Sequence, residues 1–86
     1  MNAEELSQKA FQLLKEQAKV RPYEPRIWIA LGGYTNNLIS FTADSKQREA
    51  LHQEAESAFE KAYQLSPRRP ETFMEWLRTY VLSQDY

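Results

Sequence analysis

An all-α chain of four helices is what this sequence predicts, and two observations predict it. Apolar residues recur at steps of three and four through four separate segments, and no alternating stretch of useful length interrupts them. Two proline pairs of one form punctuate those segments: Pro22-x-x-Pro25 and Pro67-x-x-Pro70, each followed three residues on by an aromatic, Trp28 or Phe73. The pairs stand 45 residues apart. The same offset matches Leu6 with Leu51, Ala10 with Ala55, Leu13 with Ala58, Leu14 with Phe59 and Val20 with Leu65. Eight paired positions at one offset make an internal repeat. At 86 residues the chain is a single domain, 1-86.

Helix one carries Leu6, Ala10, Leu13, Leu14 and Ala18 on one stripe, with Asn2 as its N-cap and Glu5 three residues on. Helix two follows the first proline turn, with Pro25 in its first turn and Ile27, Leu31, Tyr34 and Leu38 on its stripe beside Trp28. Residues 36–45 then read as a link too long for a tight turn, although Leu38 and Phe41 continue the helix-two stripe and can prolong it. Helix three opens at the cap Asp44, with Gln47 three residues on, and has the cleanest stripe: Leu51, Ala55, Ala58, Phe59, Ala62 and Leu65. Helix four starts at Pro70 and shows a core face of Phe73, Trp76, Leu77 and Tyr80. Met74 and Val81 form a second stripe on it, and a helix with two apolar stripes expects two neighbours.

Composition narrows the function before any motif does. Eleven Lys and Arg against twelve Asp and Glu give a net charge of -1, so nucleic acid is not the expected partner. With no cysteine, thiolate metal sites and cysteine nucleophiles are excluded. The single histidine, His52, forms Glu49-x-x-His52, a spacing used in helical di-iron sites, but those need two copies and further carboxylates, so a solvated helix face is expected. Gly32-Gly33 lacks the Gly-rich fingerprint and following Lys of a phosphate loop, which points to close helix packing. No Ser/His/Asp set has supporting spacing. The expectation is no enzyme, no cofactor and no metal. The acidic start Met1-Asn2-Ala3-Glu4-Glu5 is not a signal peptide, and no apolar run reaches the length of a membrane span, so a soluble chain, cytoplasmic by default, is expected.

Trp28, Leu31 and Gly32, followed by Ala55, Phe59, Ala62 and Pro67, resemble the tetratricopeptide repeat, a helical hairpin of about 34 residues. Phe73, Trp76 and Tyr80 stand at the signature places of a following first helix, and Ala10 and Pro22 at those of a preceding second helix. The resemblance implies a right-handed stack made of a half repeat, one full hairpin with a long inter-helix loop, and another half repeat. It departs from the family in its period, longer by about 11 residues, in Thr35 where a Tyr is usual, and in Leu77 where a Gly is usual. A HEAT-type repeat of roughly 40–47 residues is the competing reading. Similar degenerate hairpins also look like the soluble tails of bacterial membrane proteins of the O-antigen ligase and polymerase type.

The resemblance implies a non-catalytic module that binds a protein or peptide in a groove formed by first helices. Carried over, that groove takes Arg26, Ile29, Gly33 and Asn36 from helix two, and Glu71, Met74 and Arg78 from helix four. Ile29 and Gly33 stand where the best-known groove of the family has a Lys and an Asn to clamp a peptide carboxylate, so that clamp is not expected. A second function from another class stays open. Lys19, Arg21, Arg26, Arg68 and Arg69 surround the two equivalent proline turns and could line one anion-binding edge for nucleic acid or an acidic glycan, diluted by Glu24 and Glu71. A third is a tail or spacer in a larger protein. The half repeats at both ends lead to the expectation that the end faces are covered, by the rest of a longer array or by another copy.

Overall fold

A computed structural model describes residues 2–83, including all of their side chains except those of Glu71 and Ser83. Four helices account for nearly all of it: α1 (Ala3–Val20), α2 (Pro25–Phe41), α3 (Ser45–Leu65) and α4 (Pro70–Ser83). Short links reverse the chain each time, giving an all-α stack of helical hairpins. Helix α2 touches all three of the others, and α3 also touches α4. The molecule measures 32 × 28 × 19 Å, a slab two helices thick.

Helices α1, α2 and α3 each start where a side chain accepts from a first-turn amide. Asn2 Oδ1 accepts from the Glu5 N–H at 2.8 Å, Glu24 Oε1 from Arg26 at 3.3 Å, and Asp44 Oδ1 from Lys46 at 3.3 Å. Pro25 and Pro70 occupy first-turn positions that need no donor. The first proline turn is tied down by Trp28, whose indole Nε1–H donates to the Pro22 carbonyl at 2.8 Å.

The expected long loop between α2 and α3 is not a loop. The link is only Thr42-Ala43-Asp44, and the additional residues lengthen the two helices to 17 and 21 residues. The cause is local chemistry at the end of α2. Leu38 and Ile39 are buried, so the apolar stripe runs on to the last turn. The orphan carbonyls of that turn are then taken up by Arg48, whose Nη1 donates to Ile39 O at 2.8 Å and Thr42 O at 3.0 Å.

The centre of the α2–α3 hairpin is a close approach. A Cβ placed on Gly32 would lie 2.5 to 2.8 Å from three ring carbons of Phe59, which is itself fully buried. Ala55, Ala58 and Ala62 on the same face of α3 are almost completely buried. Phe11, Leu31, Leu38 and Ala58 form the adjoining core, against which Leu14, Trp28 and Leu51 pack.

Both end helices depart from the sequence-based stripes in the same way. In α1 the buried side is Ser7, Phe11 and Ala18, with Leu14 half-buried, while Leu6 and Leu13 face solvent. In α4 the buried side is Thr72 and Thr79, with Trp76 half-buried, while Phe73, Leu77 and Tyr80, expected in the core, are exposed. The reason is common to both. Each helix has apolar residues on two adjacent faces, and the stack provides neighbours for only one.

The two adjacent glycines separate packing from propensity. Gly32→Ala gains about 0.8–1 kcal/mol of helix propensity but drives a methyl into the Phe59 ring, an overpacking cost of about 1–3 kcal/mol. Gly33→Ala gains the same propensity and meets only Glu75, at 3.7 Å. Thermal unfolding is expected to show Gly33→Ala melting above the parent and Gly32→Ala below it. A stabilised Gly32→Ala would contradict the close approach.

Candidate functional site

The sequence-derived groove is built on α2 and α4, and a polar seam holds these helices side by side. Asn36, fully buried, is its centre. Its Nδ2 donates to the Glu75 carbonyl at 3.1 Å, and its Oδ1 accepts from the Thr79 hydroxyl at 2.7 Å. Outside this pair, Arg78 Nη2 donates to Asn37 Oδ1 at 3.0 Å, and Arg78 Nη1 stands 3.7 Å from Glu75 Oε2. Across α3, Trp76 stacks on Phe59 with centroids 6.5 Å apart and donates its indole N–H to Glu56 Oε2 at 2.6 Å. Tyr63 meets Phe73 edge-on at 5.4 Å.

The structure therefore divides the predicted groove residues. Arg26, Met74 and Arg78 are exposed and Ile29 is half-buried, so these four reach the outer surface of the α2–α4 pair. Gly33 is half-buried opposite Glu75, which a Cβ there would meet at an ordinary contact distance of 3.7 Å. Asn36 has both ends of its amide engaged and serves the seam instead of an incoming ligand. The side chain of Glu71 lies outside the described residues.

Of the five basic residues around the proline turns, Arg26 and Arg69 come together in one shallow depression with Ile29 and Ala30. Arg21 lines a different one, with Glu16, Leu13 and Val20. Lys19 and Arg68 are exposed. A broad concavity of about 990 Å³ lies along α3 and is lined by Thr42, Arg48, Glu49, His52, Glu56 and Leu82 among others. It includes both members of the Glu49-x-x-His52 pair, with Glu49 exposed and His52 half-buried. Among the described residues no cluster of three or more His, Asp or Glu has the arrangement to hold a metal ion. None of the described helices is long and apolar enough to cross a membrane.

With the geometry described, comparison with known proteins adds no relative: no protein-family model matches the chain, and no curated protein or solved structure matches it. The site rests on its own residues. The seam was not legible in the sequence because Asn36 and Thr79 sit in helices whose apolar residues looked sufficient for packing. One signal was there: Thr72 and Thr79, seven residues apart, share a face of α4 with Trp76.

Two measurements test this geometry. Asn36→Ala is expected to cost about 1–3 kcal/mol, because it strips partners from buried polar groups. In a double-mutant cycle of denaturant unfolding, Asn36→Ala and Thr79→Val should be non-additive by about 0.5–3 kcal/mol; simple additivity would break the seam apart. For His52, burial holds the imidazole below its ordinary pKa of 6.5, the Arg48 guanidinium lowers it further, and Glu56 opposes both. The folded state thus resists protonation more than the unfolded one. The stability from neutral His52 is present above about pH 6.5 and declines as pH falls toward the folded midpoint. An NMR titration of the imidazole should place that midpoint below 6.5; a value above it would mean that Glu56 dominates.

Proposed function

We propose that the chain is a non-catalytic protein-interaction or assembly module of tetratricopeptide-like character. The observation that carries this reading is the placement of α4. A polar seam and one tryptophan fix the helix, so its large apolar residues Phe73, Met74, Leu77, Tyr80 and Val81 are left at the surface. Five such residues on one short helix form a contiguous apolar face, the kind of surface that marks a docking site. A folded domain gains nothing from exposing it, whereas a partner that covers it contributes roughly 25 cal/mol per Å² of apolar area removed from water.

The α2–α4 surface supports the same reading from an adjacent side. Arg26, Ile29, Met74 and Arg78 combine apolar area with two cations, which suits a peptide of mixed apolar and acidic character. The anion-binding alternative has less support, because Arg21 lies in a different depression from Arg26 and Arg69.

The test is a photo-activated cross-linking residue placed at Met74, at Leu77, and, as a control, at Glu60 on the exposed side of α3. In the cells that produce the protein, illumination should yield polypeptide adducts at positions 74 and 77 and not at 60. Absence of polypeptide adducts, or equal yield at position 60, would overturn the assignment.

A further inference from the structure

We propose that the occupant of the α4 face is α1 of a second copy, so that the chain assembles head to tail. The inference rests on the assembly reading above and names the partner and the register. It comes from the internal repeat taken together with the packing inside one molecule. At the 45-residue offset, α4 is the counterpart of α2, and α1 is the counterpart of α3. Within the chain, α3 covers α2, placing Phe59 and its alanines against Gly32. Among the described residues no helix covers α4 or α1 in the corresponding way.

The correspondence holds residue by residue. Gly32 and Thr35 are buried in α2, and their counterparts Leu77 and Tyr80 are 62% and 60% exposed. On the other side, Ala58 of α3 is 2% exposed, and its α1 counterpart Leu13 is 56% exposed. Leu51 and Leu65 are half-buried, and their counterparts Leu6 and Val20 are exposed. The open residues of α1 are Leu6, Leu13 and Val20, each seven apart, which places them on one helix face. Each open end therefore presents the face that its counterpart uses to meet the other's counterpart. Docking α1 of the next copy on α4 continues the α2–α3 interface through a second molecule. The new pair is bulkier at its centre, with Leu77 and Leu13 in the places of Gly32 and Ala58, so these helices lie further apart than α2 and α3.

Such an interface joins unlike surfaces. It leaves one free end of each kind after every addition, and so produces rings or open arrays instead of a closed two-fold dimer. That property gives a specific experiment in sedimentation equilibrium with the full chain. The parent protein is expected to rise in mass with concentration past the dimer. Leu13→Glu blocks one end and Leu77→Glu the other. Each variant alone should remain monomeric, and an equimolar mixture should form a dimer and nothing larger. Both sites are exposed, so circular dichroism should show parental helix content; Val20→Glu and Tyr80→Glu provide a second pair if it does not. A monomeric parent at every concentration overturns the proposal. So does self-association of Leu13→Glu alone, which would mean that α4 pairs with α4, or a mixture that stays monomeric. A monomer that still yields cross-links to a different polypeptide from position 77 would overturn this proposal and leave the interaction reading standing. Loss of both would remove the two together.

Discussion

The rest of the architecture depends on one ring lying against one backbone. Phe59 is accepted at the α2–α3 interface only because residue 32 has no side chain, and the resulting proximity buries the three alanines of α3 beside it. The other side of the same ring receives Trp76, which sets where α4 lies against α3. Three helices are thus referenced to a single side chain. In an interior packed as densely as an organic crystal, a displacement there is transmitted to all three. Asn36 then completes the arrangement from the α2 side. A fully buried amide with a carbonyl and a hydroxyl as partners tolerates little rotation or sliding of α4, because any shift leaves polar groups without water and without bonds.

That division of labour explains an otherwise odd surface. Helix α4 has more large apolar residues than polar ones among its central positions, yet it turns two threonines and a tryptophan inward. Hydrogen bonds specify where it sits, and its apolar side chains are not consumed in seating it. Helix α1 has the complementary condition. Phe11, Leu14 and Ala18 attach it to α2, and the neighbouring stripe is left open. The molecule has a well-packed centre and, at its two end helices, apolar faces left exposed.

Much of this was legible in the residues. Proline pairs marked the turns, Asn2 and Asp44 marked two helix starts, and the repeat at 45 residues identified which helices are equivalent. Two things were not legible. The first was the corner at residues 42–44, because a period longer than that of the resembled family invites a loop, while the carbonyl-capping role of Arg48 depends on its folding back over the end of α2. The second was which of two apolar stripes each end helix buries. Periodicity identifies the stripes, but the choice between them rests on shape and on the requirement of Asn36 for partners, neither of which is a pattern in the local sequence. The groove inherited that uncertainty. Arg26 and Met74 reach the surface as expected, whereas Asn36 is drawn inward by Thr79.

The short corner between α2 and α3 also bears on the order in which the molecule is made. Arg48 reaches carbonyls only six and nine residues away, so the hairpin can close at small entropic cost, with Gly32 and Phe59 meeting soon after. The Asn36–Thr79 bond spans 43 residues and has no geometry to form in until that hairpin exists. Folding is therefore expected to run outward from the middle of the chain, with α4 docking on a surface already made. During synthesis the centre can be complete while the last helix is still emerging, and the apolar face of α4 becomes available only after the rest of the molecule has committed to its shape.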